Sequence, residues 1–253
     1  MSRLSPKIYF AAAGGLGVVL ALALVVVALT GGGDPPSRPA PGSAVGRPAE
    51  SGASPSSYSS SPSTPAYAAI ERRAQDAAPL TLDEAFPASA RTLHVQVPGP
   101  DLELSLKDKR LDADCAAAVW GEGIGAELRR GRCTQAVRGV YATSGDDPAK
   151  GYALTVAVFN LADRTAADRL VGELGNGGGF IRPLPARAPL DAIGQGFSAA
   201  RGLAMGHYAA VAWAQRLDGQ GEAVDDTLLS LLIEGSKAPS ALGRAARATR
   251  PGS

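Results

Sequence analysis

Residues 8–30 form an unbroken run of 23 residues with no charge and no proline. As a helix rising 1.5 Å per residue, the run is about 34 Å long, more than the ~30 Å hydrocarbon core of a bilayer. A cleaved signal peptide carries a shorter apolar stretch, roughly 7–15 residues, followed by a small-residue cleavage site. Here the best such site, Ala21 and Ala23, lies inside the run. A lipoprotein anchor needs a cysteine at the end of the run, and the first cysteine is Cys115. The sequence therefore reads as a single-pass, uncleaved transmembrane helix over 8–30. Arg3 and Lys7 precede it, whereas glycines and Asp34 follow it. The positive-inside rule then keeps residues 1–7 as a cytoplasmic tip and everything after Thr30 outside. Ala11/Gly15 and Ala13/Gly17 are small-xxx-small pairs, a pattern that lets helices approach closely but is also common in plain anchors.

Residues 31–78 are dominated by Gly, Pro, Ser and Ala. Such a composition buries too little apolar surface to offset the entropy of ordering, so a disordered linker is expected. A short helix over Tyr67–Ala77 is its one structured element by spacing. Ser/Thr-rich tracts with Pro also carry O-linked sugars in some proteins; a plain spacer is the simpler reading. From Leu80 the apolar residues become periodic, and an extracytoplasmic domain is expected over 79–237. A disordered basic tail with Arg244, Arg247 and Arg250 follows over 238–253. The chain has 25 Lys+Arg against 24 Asp+Glu, a balance that argues against a dedicated nucleic-acid binder. Its two cysteines cannot build a zinc ribbon or a dense disulfide scaffold.

Within the domain, Leu93, Val95 and Val97 alternate with polar residues as in a half-buried strand. Pro98-Gly99-Pro100 ends it. Asp112 or Asp114 is placed to cap a helix running to about Arg130, with Trp120, Ile124 and Leu128 on one face. Thr134–Thr143 and Tyr152–Phe159 read as strands, and 162–174 is an amphipathic helix stopped by Gly175. A Gly/Pro-rich loop over 175–189 leads to a hairpin over 196–201 and 207–216. The last helix is expected over Glu222–Gly235, with Val224, Leu228 and Leu231 inward. The order β-α-β-β-α-β-β-α predicts an α+β fold, an antiparallel sheet with helices on one face around a ferredoxin-like core.

PLTLDEAFP (79–87), Cys115 with GRCTQ (131–135), YALTVAVFNL (152–161) and GHYAAVAWAQ (206–215) resemble uncharacterised membrane-anchored exported proteins of high-GC actinobacteria. The resemblance covers residues 79–216 together with the anchor-and-linker layout. It implies an exported domain and carries no activity. A weaker likeness is to the extracytoplasmic α+β sensor domains of actinobacterial receptor kinases, which is a likeness of architecture only.

The candidate sites are few. Cys115 and Cys133 form a candidate disulfide, since both fall outside the membrane by the topology argument. A continuous helix over 115–130 would hold its ends roughly 25 Å apart, whereas a bridge needs Cα atoms within about 7 Å. Either Gly121, Gly123 and Gly125 break that helix or the thiols stay apart; the bridge is favoured. Gly121-x-Gly123-x-x-Ala126 matches part of a dinucleotide fingerprint, but it lies inside the expected helix. His94 and His207 are the two histidines. Ser198 would face His207 across the hairpin, yet no G-x-S-x-G elbow accompanies them. Trp120 and Trp213 read as core aromatics.

These observations favour a membrane-anchored extracytoplasmic binding or interaction module without enzymatic activity. No catalytic residue, cofactor-binding residue or metal ligand is assigned. The expected partners are the cytoplasmic membrane and an envelope protein or wall-derived ligand, with no nucleic acid. The alternatives are a hydrolase-like cell-envelope enzyme, built around His207, and a structural subunit of an envelope complex. The last would expose an apolar patch on the sheet or the last helix.

Overall fold

The computed structural model describes residues 45–143 and 151–249. The expected cytoplasmic tip, the apolar run 8–30 and the first part of the linker lie outside these residues. Among the described residues no helix is long and apolar enough to cross a membrane.

Among the described residues nine strands form: β1 (Ser57–Ser61), β2 (Thr92–Val95), β3 (Leu102–Asp112), β4 (Val119–Trp120), β5 (Gln135–Thr143), β6 (Tyr152–Asn160), β7 (Phe180–Ile181), β8 (Ser198–Met205) and β9 (Tyr208–Arg216). Seven build one curled, half-barrel sheet in the order β1-β8-β9-β6-β5-β3-β2. Every neighbouring pair is antiparallel except β1 with β8. β4 and β7 make a separate two-stranded ladder.

Five α-helices lie among the described residues. These are α1 (Leu82–Ala85), α2 (Glu122–Arg130), α3 (Arg164–Glu173), α4 (Asp226–Gly235) and α5 (Pro239–Ala248). Asp163 caps α3 by accepting from the Ala166 N–H at 2.9 Å, and Asp225 caps α4 through Leu228 at 2.7 Å. Both are the side-chain acceptors that an orphaned first turn requires.

The helices occupy both faces of the sheet. On one face Ala157, Phe159, Val211 and Trp213 pack with Ile124 and Leu128 of α2 and Leu170 and Val171 of α3. On the other, Leu154, Val156, Tyr208 and Ala212 pack with Leu228 and Leu231 of α4 and Ala241 and Ala245 of α5. The central strands are therefore buried on both sides, which is why β6 and β9 read as nearly continuous apolar runs.

This corrects the ferredoxin-like expectation. In that fold a helix crosses between parallel strands and one sheet face stays open. Here β2 turns back onto β3, a strand not expected from the sequence, and β3 pairs directly and antiparallel with β5. Only β6-α3-β8 has the split arrangement, with β9 inserted between its strands.

Other expectations are corrected too. Residues 45–78 do not behave as a linker, because β1 joins the sheet beside β8 with Ser57 opposite Ala199. Tyr58 anchors it, its ring edge-on to Phe180 at 5.6 Å and its hydroxyl donating to the Val171 carbonyl at 2.6 Å. The short helix expected over 67–77 is instead two 3-10 turns, Pro65–Ile70 and Arg73–Gln75. The basic tail is not disordered over 239–248: it is α5, and Arg244 on it is buried. The helix expected over 222–235 is α4, which starts only at Asp226: Leu228 and Leu231 face inward as expected, but Val224 lies ahead of it and is 41% exposed.

Candidate functional site

The helix expected over 112–130 is interrupted. Asp114 does cap a helical turn, accepting from Ala116 at 2.9 Å, but that turn is a 3-10 segment over Cys115–Ala118. β4 follows, and Gly121 at φ +89° swings the chain into α2. The chain thus doubles back and closes the Cys115–Cys133 disulfide at a Cα separation of 6.2 Å. Gly121 and Gly123 lie against Gly178, and Gly125 against the Pro48 ring. The glycines thus serve close packing: the Gly178 backbone covers the start of α2, where a phosphate would have to approach.

His207 sits at the β8–β9 turn and is fully buried. Its Nε2 lies 3.4 Å from Asp76 Oδ2, and its Nδ1 has no partner. Burial pulls its pKa below the ordinary value, opposed by the hydrogen bond and charge of Asp76. Ser198 does not face it; β8 pairs Ser198 with Gln215, at the opposite end of the hairpin. His94 is on edge strand β2, exposed and 3.8 Å from Glu103. Trp213 is buried edge-on against Phe180 at 5.3 Å, and Trp120 is half-buried with its Nε1–H donating to the Ala53 carbonyl. Among the described residues no group of three or more His, Cys, Asp or Glu side chains is placed to hold a metal.

The His207 environment belongs to a buried charge cluster that sequence reasoning missed. Arg244 donates to both Glu84 oxygens, to Asp76 Oδ1 at 3.0 Å and to the carbonyls of Ala78 and Pro79. Tyr208 donates its hydroxyl to Asp76 Oδ2 at 2.7 Å. Burial pushes the Tyr208 phenol well above its usual range, with Asp76 adding to the shift. Burial also raises Glu84, but the hydrogen bonds and charges of Arg244 and Arg247 outweigh it and hold the carboxyl below its ordinary value. This cluster joins α5 to the chain ahead of α1. It works as a clasp, since the imidazole has no access to a substrate.

Among the described residues one open cleft has a volume of about 850 Å³. Val140, Ala142, Leu190 and Leu217 make it apolar, Thr143 adds a hydroxyl, and Lys107, Asp108 and Arg187 bring charge. Its outer wall is the 182–194 loop, which buried polar side chains pin at both ends. Arg138 on β5 donates to the Arg182 carbonyl at 2.9 Å while pairing with Asp112 at 2.8 Å. Gln215 on β9 accepts from the Gly194 N–H at 2.6 Å and donates to the Ala192 carbonyl at 3.1 Å. The loop thus arches over the sheet between two fixed points. One strand inward from Val140, Thr155 Oγ1 and Trp213 Nε1 are adjacent across β6 and β9, buried and without partners.

The cleft was not legible in the sequence. It joins a charged stretch of β3 to a proline-rich loop almost 80 residues later, and neither segment carries a motif of its own. Elsewhere Leu229, Ile233 and Leu242 are 41–46% exposed on α4 and α5.

No family model, no curated protein and no solved structure matches this chain.

Proposed function

We propose that the protein is a membrane-tethered, extracytoplasmic binding module whose ligand seat is the cleft between β3, β5 and the 182–194 loop. The observation that carries the reading is the lining of that cleft: an aliphatic floor ringed by three charged side chains under a loop pinned at both ends. That combination suits holding and orienting a small ligand. Its volume falls in the range of roughly 300–1,000 Å³ typical of ligand pockets. The tethering rests on the apolar run 8–30 and on the positive charges before it, and the disulfide fits an oxidising compartment.

The test uses the full-length chain in native membranes. Protease added to intact spheroplasts should digest the domain. Small molecules extracted from washed, affinity-captured protein should include one retained species, and incubation with the protein should return it unchanged. Conversion of that species to a product would overturn the binding reading in favour of an enzyme. A stable protein partner with no retained small molecule would overturn it in favour of an assembly subunit. Protection of the domain in intact spheroplasts would overturn the topology.

A further inference from the structure

The charged rim of the cleft comes from an irregularity in β3. The register with β5 runs Leu106 opposite Tyr141 and then Asp108 opposite Val140, so Lys107 is the extra residue of a β-bulge. In a regular strand consecutive side chains point to opposite faces. A bulge breaks that alternation and re-aims a side chain. Both Lys107 and Asp108 consequently line the cleft. Arg187 lies on the facing loop, between Pro185 and Pro189.

The three cleft charges, Lys107, Asp108 and Arg187, are exposed and hydrated at the mouth of the cleft, above its buried floor residues Val140 and Ala142. Among the described residues Lys107 and Arg187 take part in no salt bridge, and Asp108 accepts only the backbone N–H of Lys109, at 2.8 Å. Two cations and one carboxylate with unused bonding capacity thus surround an aliphatic floor.

We propose that the cleft recognises a carboxylate and a nitrogen donor flanking one aliphatic side chain, the chemistry of a free aliphatic amino acid or of the carboxyl-terminal residue of a peptide. Lys107 and Arg187 meet the carboxylate, Asp108 accepts from the nitrogen, and Val140, Ala142, Leu190 and Leu217 receive the side chain. A simple anion leaves Asp108 opposed to it, and a purely apolar ligand displaces water from the three charges without replacing its hydrogen bonds. The carboxylate-plus-donor pattern answers each of them. This inference rests on the binding reading above and names its ligand class.

The test is calorimetric titration of the full-length protein in nanodiscs. The probes are leucine, N-acetyl-leucine, the tripeptide Gly-Gly-Leu and its C-terminal amide. Gly-Gly-Leu should bind at least tenfold more tightly than its amide. Arg187→Gln and Lys107→Gln should each weaken it about tenfold, as expected for a lost charge-assisted hydrogen bond. Asp108→Asn should weaken leucine more than N-acetyl-leucine, because only leucine carries a cationic amine. Leucine binding as tightly as the tripeptide identifies a free amino acid as the source; tripeptide binding without leucine binding identifies a peptide terminus. Equal affinity for acid and amide overturns the inference, as does indifference to Arg187→Gln. Thermal melts show that each variant is folded. If no probe binds while membranes still yield a retained ligand of other chemistry, the ligand class fails and the binding reading stands. If nothing is retained either, both fail.

Discussion

Arg244 and Asp76 stand 168 residues apart in the chain and meet at 3.0 Å. The Arg244 side chain is 4% exposed, and its guanidinium also holds Glu84 at 2.6 Å. One side chain on the last helix thereby ties down both the segment ahead of α1 and α1 itself. Removing one member of a buried pair leaves the other charges uncompensated, a loss of about 3–5 kcal/mol. Because Asp76 and Glu84 are partly exposed, Arg244→Met should cost about 3 kcal/mol, near the lower end of that range. Urea unfolding reads it. A loss under about 1 kcal/mol, the scale of an exposed pair, would show that the clasp carries little.

The same cluster sets the acid limit of stability. Burial depresses the pKa of His207 in the folded protein, so the unfolded chain binds a proton more readily. The stability from the neutral imidazole is complete above about pH 6.5 and declines as pH falls through the folded value. One proton gives a slope of at most about 1.4 kcal/mol per pH unit. Glu84, held below its ordinary value chiefly by Arg244 and Arg247 against the effect of burial, adds a second decline below about pH 4.5. Melting temperatures from pH 8 to pH 3 should show both stages, and His207→Gln should remove the first. A first stage unchanged in that variant would assign it to another group.

Residues 115 and 133 are 18 apart in sequence and bridged. Closing a loop of that size stabilises by about 3 kcal/mol on the chain-entropy view. For a domain of this size that is a fall of about 6–12 °C in Tm for the Cys115→Ser, Cys133→Ser double variant. An unchanged Tm, measured under non-reducing conditions, would contradict the role given to the bridge.

Gly121 adopts φ +89°, and a Cβ there would overlap the Gly178 carbonyl oxygen. Gly121→Ala combines backbone strain with a clash against backbone, so about 2 kcal/mol or more is expected to be lost in denaturant unfolding. Gly172→Ala is the control: it lies on α3 with nothing within 4 Å of the added carbon, and it should be neutral or stabilising.

These positions also show what the sequence could reveal. β5, β6, β8 and β9 were legible because their apolar runs are bounded by turn residues. β3 escaped because Lys107, Asp108, Lys109 and Arg110 mask the alternation of Leu102, Leu104 and Leu106, and its bulge shifts the period. β1 escaped because four of its five residues are serine and one tyrosine carries the packing. α5 escaped because its buried face is made of Ser240, Ala241, Arg244 and Ala245; small residues and a paired arginine look like a solvated tail. The disulfide was legible from two thiols and a compartment argument, while the conflict with a long helix resolved only once Gly121 broke it. The cleft and the clasp were not legible, since each assembles residues from distant segments that have no local signature.

The most direct test of the account places a photo-crosslinking residue at Leu217, which lines the cleft, and at exposed Asn176 as control, in full-length protein in intact cells. A discrete small-molecule adduct at 217 and none at 176, by intact mass, is the expected result. No adduct at 217, or the same adduct at both positions, would contradict a ligand seat in the cleft.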